Sequence, residues 1–273
     1  NPGFLKLAKI TWDTKAAVLE KIIQYERVHK IKDMNELKRR LGEDRRFFSY
    51  FHPALDDEPI IFVQVALTNG LGKSIQEIMK PSSEGAKKYD TATFYSISNC
   101  QEGLSRVTLG NFLIKRVVYE IQEELPNIKN FGTLSPIPGF RDWFTTLDEK
   151  IIQNILGKIP YSNVSFLKST DLKVGDGRIV SNKHAITKLV AHYLMNEKNK
   201  KGLPINDVCR FHLGNGAIID DININANVSE VGLNRSFGVM VNYLYELKNI
   251  EKNHEDYINN KKIIISDQLK KKL

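Results

Sequence analysis

Between residues 14 and 28 the apolar positions Ala17, Val18, Ile22, Ile23 and Tyr25 share one face of a 3.6-residue period, which predicts a helix capped at Asp13 or Thr14. Residues 34–41 predict a second, shorter helix. The pattern then changes. Residues 45–51 and 59–67 are runs of aromatic and β-branched residues on either side of a polar, proline-containing turn, so they read as two paired strands, and 92–98 continues the sheet. Residues 70–90 are polar and lysine-rich, with a Pro81-Ser-Ser break, and read as a loop with one helical turn.

From 109 to 125 the spacing of Phe112, Leu113, Val117, Val118, Ile121 and Leu125 predicts an amphipathic helix stopped by Pro126, and 131–134 is the next strand. Strand, helix and strand in that order form a crossover unit, which places loops at the sheet edge where ligands bind. Helices are expected at 143–156 and 183–196, with an irregular stretch at 161–180. The last third reads as strands at 207–213 and 217–224 joined by Gly214-Asn215-Gly216, then a helix at 235–247 and a lysine-rich tail. The fold class expected is α/β, a mixed β-sheet flanked by helices, with no internal repeat.

Composition narrows the class without naming a function. At 273 residues, 41% hydrophobic and 26% charged, the chain can bury a sizeable core, and no apolar run approaches a membrane span. The first residues show neither a signal peptide nor an initiator Met, so a piece of a longer protein is expected. Two cysteines, Cys100 and Cys209, make neither a disulfide framework nor a zinc site, and reduced thiols in an intracellular protein are expected. The net charge of +8, from 40 Lys and Arg against 32 Asp and Glu, favours an anionic partner. Its lysine clusters lack interleaved aromatics, so solvated faces fit better than a nucleic-acid track.

Three segments carry candidate chemistry. In Phe131-Gly-Thr-Leu-Ser-Pro-Ile-Pro-Gly-Phe140 two prolines restrict Ser135 and Ile137, and Gly139 releases the chain. A hydroxyl so restrained can be aimed, although a tight turn is the ordinary role of such a run. In Phe211-His-Leu-Gly-Asn-Gly-Ala217 a single histidine, His212, is expected at the end of a strand. The other five histidines, His29, His52, His184, His192 and His254, read as structural or exposed. Gly103 to Asn111, with Arg106, Thr108, Leu109 and Gly110, leads into a helix N-terminus and offers an anion site, though it is neither a Walker loop nor Gly-x-Gly-x-x-Gly.

The placement of that loop resembles the coenzyme A loop of the acetyltransferase fold known as GNAT, with Thr108 where the first glycine of the usual pattern stands and Gly110 at the second. More specific are Glu58 to Thr68, Phe94-Tyr-Ser-Ile-Ser98, Leu109 to Val118, Leu134-Ser-Pro-Ile-Pro-Gly-Phe140, the His212 segment and Asn242-Tyr-Leu-Tyr245. Together and in this order they resemble the malonyl-CoA decarboxylases, over residues 3 to about 268. The resemblance implies a GNAT-like catalytic domain, without the family's preceding helical domain.

It also implies decarboxylation of malonyl-CoA to acetyl-CoA and CO2, which bears on fatty acid metabolism. Ser135 and His212 match the catalytic pair, and Ser96 and Tyr245 match supporting residues of the pocket. A glutamate of the animal enzymes is Thr108 here, and residues 141–183 look shorter and divergent. No cofactor or metal is implied, because the thioester is itself the electron sink. The partners implied are malonyl-CoA and, in the full-length protein, further copies of itself, with neither nucleic acid nor membrane. Family members occur in mitochondria, peroxisomes, cytosol or bacterial cytoplasm, and the ending Lys271-Lys-Leu273 only loosely resembles a peroxisomal address. The rivals are an acyl-CoA N-acyltransferase of the same fold and a basic interaction module without catalysis.

Overall fold

A computed structural model describes residues 5–55, 57–80, 88–100 and 110–273. The chain divides into two compact units, one from residues up to Gly72 with Ile78–Thr133, the other from Lys73–Glu77 with Leu134–Leu273.

The first unit holds β1 (Lys6–Lys9), α1 (Ala16–Tyr25), α2 (Met34–Arg40), β2 (Arg45–Phe51) and β3 (Pro59–Thr68), followed by β4 (Thr91–Asn99), α4 (Gly110–Glu124) and β5 (Asn130–Thr133). A short α3 (Ile75–Met79) lies in the stretch read as loop. Strands β1 to β4 pair antiparallel in sequence order, and β5 lies parallel to β4, reached through α4 as the crossover pattern requires. The apolar face of α1, Val18, Leu19 and Ile22, packs with Leu37 of α2 and with Phe47 and Phe62 of the sheet. Its start differs from expectation. Lys15 occupies the N-cap without a side-chain capping bond, and the Thr14 hydroxyl accepts instead from Thr11 N at 3.0 Å. Asp33 does cap α2, accepting from Glu36 N at 2.9 Å.

The second unit holds β6 (Ser135–Pro136), α5 (Phe140–Thr146), α6 (Glu149–Leu156), α7 (Gly177–Ser181), α8 (Lys183–Met195) and α9 (Asp207–Gly214). It continues with β7 (Ile218–Asn223), α10 (Glu230–Ser236), β8 (Met240–Leu244), α11 (Ile250–Asn260) and α12 (Asp267–Lys270). Strand β8 lies between β6 and β7 and is antiparallel to both. The single helix expected at 143–156 is two, α5 and α6, separated by an extended Leu147 with ψ 143°. The irregular stretch at 161–180 contains two 3-10 turns and the start of α7.

Three expectations for the last third are corrected. Residues 207–213 form α9 and not a strand, because Asn206 caps the backbone and Cys209, His212 and Leu213 bury at i, i+3 and i+4. Gly214-Asn215-Gly216 therefore joins a helix to β7 and is no hairpin turn. Residues 235–247 are not a helix either. Phe237 and Gly238, at φ 54° and 79°, end α10, and residues 240–243 of the following strand are all buried. A strand covered on both faces shows no alternation, and its apolar run mimics a helix. The lysine-rich tail is ordered into α11 and α12, with Ile265 bridged in parallel to Ile219 of β7. Among the described residues no helix is long and apolar enough to cross a membrane.

Candidate active site

Ser135, His212 and Tyr245 meet inside the second unit. Ser135 opens β6 and pairs with Val241 of β8, and Pro136 and Pro138 fix their own φ and hold the residues before them, Ser135 and Ile137, to extended geometry. Gly139 then turns at φ 80°, where a Cβ would lie 2.8 Å from the Tyr193 hydroxyl, so only glycine suits both the angle and the space. His212 stands in the last turn of α9. Tyr243 and Tyr245 are two residues apart, Tyr243 on β8 and Tyr245 just past it, so they leave the extended chain on the same side. The expectation of a helix under Tyr245 is thereby replaced by a strand end.

His212 Nε2 lies 3.1 Å from Ser135 Oγ, and His212 Nδ1 lies 2.8 Å from the Tyr245 hydroxyl. The Tyr243 ring stacks on the imidazole at 4.5 Å and 26°, and Phe211 meets it edge-on at 5.0 Å. All three hydrogen-bonded residues are buried. Burial pushes the His212 pKa down to about 3, so the ring is neutral near pH 7. The same desolvation holds the Tyr245 hydroxyl well above its ordinary value of 10, so it remains a phenol. A neutral imidazole has one donor and one acceptor nitrogen. Two tautomers satisfy both contacts: with Tyr245 donating to Nδ1, Nε2–H donates to Ser135, and with Nδ1–H donating to Tyr245, Ser135 donates to Nε2.

The helix that carries His212 is held at both ends. Asn206 Oδ1 accepts from Cys209 N at 2.8 Å, while its Nδ2 donates to Pro138 O at 2.9 Å. At the far end His254 Nδ1 lies 2.7 Å from Gly214 O, and Asn253 donates to Gly216 O at 3.3 Å. Cys209 is no nucleophile here, since burial raises its thiol to about 12. Both cysteines are free, as expected.

The remaining candidates lie elsewhere or outside the description. Ser96 is on β4 of the first unit, where its hydroxyl donates to Glu26 Oε2 at 2.7 Å. Arg106, Thr108 and Leu109 lie outside the described residues, and Gly110 is the first residue of α4. Sequence reasoning missed Tyr243 and Asn206. Asn206 had a legible signal, a capping residue followed by Asp207 and by Cys209, His212 and Leu213 at helical spacing. Among the described residues there is no group of three or more His, Cys, Asp or Glu side chains that could hold a metal ion.

Fold and site define a class, a GNAT-like α/β domain with a buried Ser-His-Tyr chain of hydrogen bonds. The fold is shared with the loading GNATL domain of CurA from Lyngbya majuscula, at a TM-score of 0.53 and 11% identity over 91% of this chain and 99% of that one. Within that class the family is shown, because residues 3–273 match the malonyl-CoA decarboxylase C-terminal domain, and the chain belongs to that family. It is 39% identical to the mitochondrial malonyl-CoA decarboxylase of Anser anser anser, over 98% of this chain and 58% of that protein. The chain thus spans somewhat more than half of that relative's length. The crystal structure of malonyl-CoA decarboxylase from Agrobacterium vitis matches at a TM-score of 0.89 and 39% identity, over all of this chain and 68% of that one. That from Rhodopseudomonas palustris matches at 0.85 and 41%, over 99% and 67%.

Proposed function

We propose that this chain decarboxylates malonyl-CoA to acetyl-CoA and CO2, with Ser135, His212 and Tyr245 as its proton-handling groups. The observation that carries the reading is the neutral, buried His212 bonded to a hydroxyl on each nitrogen. Family membership supports the substrate.

Decarboxylation breaks the bond between the α-carbon and the carboxylate, and the electron pair passes into the thioester carbonyl as an enolate while CO2 departs. A cation against the carboxylate would stabilise the ground state more than the transition state, because the charge leaves that group. Ser135, oriented by a neutral His212, holds the carboxylate by a hydrogen bond and not by a cation, so its breaking bond can align with the carbonyl π system. The enolate then takes a proton on carbon from Ser135 Oγ, which recovers one from His212 Nε2 as Tyr245 supplies Nδ1. Solvent restores the phenol, so one proton is consumed per CO2 released. The thioester is the electron sink of this sequence. An intracellular site of action agrees with the free thiols and with relatives named as mitochondrial.

The test is incubation of the 273-residue chain with malonyl-CoA, following acetyl-CoA and CO2 by mass, beside His212→Asn. CO2 released with no amine acceptor present, and lost in the variant, is expected. Thioester binding without CO2, or acyl transfer only when an amine is added, would overturn the reading in favour of a transferase.

A further inference from the structure

Asn206 makes two bonds with one amide, and they lead to the two halves of the candidate site. Its Oδ1 caps α9 through Cys209 N, and its Nδ2 donates to Pro138 O. His212 lies six residues along α9, about 9 Å of helix rise from the cap. Ser135 lies three residues before Pro138, across a run stiffened by Pro136 and Pro138. The circuit closes through the 3.1 Å contact of Ser135 with His212. Tyr193 of α8 also donates to Pro138 O, at 3.0 Å, so that carbonyl is held from two helices. Both Asn206 and Tyr193 are buried, at 2% and 4% exposure, so neither bond competes with water.

Capping alone would not require this residue. Asn, Asp and Ser cap helices about equally well. The amide presents an acceptor to α9 and a donor to Pro138 O from two separate atoms, whereas a carboxylate would set a second acceptor against Pro138 O.

We infer that Asn206 is a positioning residue that sets the Ser135–His212 separation by tying the start of α9 to the Ser-Pro-Ile-Pro run. The kinetic part of this inference rests on the decarboxylase reading, and the spectroscopic part does not. Asn206→Asp keeps the cap and removes the tie. It is expected to lower kcat for malonyl-CoA by about 10- to 100-fold, the cost of an ångström-scale misplacement, with KM changed less than about twofold. In histidine-labelled protein, the Nε2 resonance of His212, assigned by its loss in His212→Asn, is expected to move as the Ser135 bond lengthens.

Tyr193→Phe leaves the cap untouched and removes one of the two donors on Pro138 O, so a smaller shift in the same direction is expected even where Asn206→Asp folds poorly. Asp33→Ala, which removes the cap of α2 in the other unit, controls for stability and is expected to leave both readouts unchanged. Unaltered kcat with an unmoved His212 resonance in the folded Asn206 and Tyr193 variants would overturn the inference, as would a rise in KM alone. Absence of CO2 from the unmutated chain would sink the decarboxylase reading only, and the resonance would still decide the positioning role.

Discussion

Each unit buries a network of polar side chains, and the two are built on opposite principles. In the second unit the chain from Tyr245 through His212 to Ser135 is neutral throughout, with two bonds on one imidazole. In the first unit the Glu26 carboxyl group is ringed by five donors, Val28 N, His29 N, Ser96, Ser98 and Gln64. Arg40 adds a cation through Gln64 at 3.4 Å, and Tyr95 bonds the same Gln64 oxygen at 2.9 Å. The saturated carboxyl group has nothing left with which to act on a reactant, and such networks hold structure together. The sparse neutral chain lets desolvation, rather than ion pairing, decide protonation. That leaves hydrogen-bond donors without a positive charge, which suits the proposed reaction, in which a carboxylate must give up its charge and leave as CO2.

The contrast is most strongly tested at the candidate site. His212→Asn is expected to lower kcat by about 10²- to 10⁴-fold with the fold retained, the ordinary range for loss of a general acid or base. Steady-state CO2 release with circular dichroism checks both, and wild-type turnover in the variant would remove the distinction between the networks.

Glu26→Ala probes the structural end. Five donors lose one acceptor, and a loss of about 4 kcal/mol in unfolding free energy is expected from breaking such a buried network. Urea denaturation measures it, and a loss below about 1 kcal/mol would mean that water replaces the carboxyl group.

The pH dependence sharpens the same contrast. His212 has its pKa lowered from 6.5 to about 3 by burial, so between those values the unfolded chain binds a proton that the folded one excludes. Stability contributed by the neutral ring is present above pH 6.5 and is lost as pH falls toward 3, by about 1.4 kcal/mol per unit. The slope should flatten by that amount in His212→Asn, as read by urea midpoints at a series of pH values. The kcat of the unmutated chain should show no break near pH 6.5, the ordinary histidine value.

The smallest effect is expected for Tyr245→Phe, which keeps the ring and removes one neutral hydrogen bond. A loss of about 1 kcal/mol, or roughly fivefold in kcat, follows from such a bond. A loss as large as that of His212→Asn would mean that solvent cannot replace Tyr245 as the proton donor to Nδ1.

Legibility followed the local pattern. In the first unit α1 has a solvated face, so its period is visible, and β2 carries an aromatic run; the bounds of both come within a few residues. Strands β3 and β7 are buried along all or nearly all of their length, and their β-branched runs still mark them as strands. Strand β8 is buried along all but its last residue and has Val241 as its one β-branched residue, so neither period nor composition marks it, and the sequence suggests a helix there. The error at α9 has a different origin. Val208, Cys209 and Phe211 favour strands locally, and the Asn206 cap and the burial of His212 and Leu213 outweigh that preference.

The chain's own residues are enough to establish the α/β class, the crossover through α4 and the proline-restrained hydroxyl of Ser135, because local sterics and periodicity act within a few residues. The catalytic reading of His212 and the candidacy of Tyr245 rest instead on the family resemblance. The protonation state of His212, the stacking of Tyr243 and the two-way bond of Asn206 depend on which distant segments exclude water and which carbonyl comes within 3 Å. Desolvation and hydrogen bonding between residues some 70 positions apart belong to the folded chain alone, and they turn three separate side chains into one buried chain of hydrogen bonds.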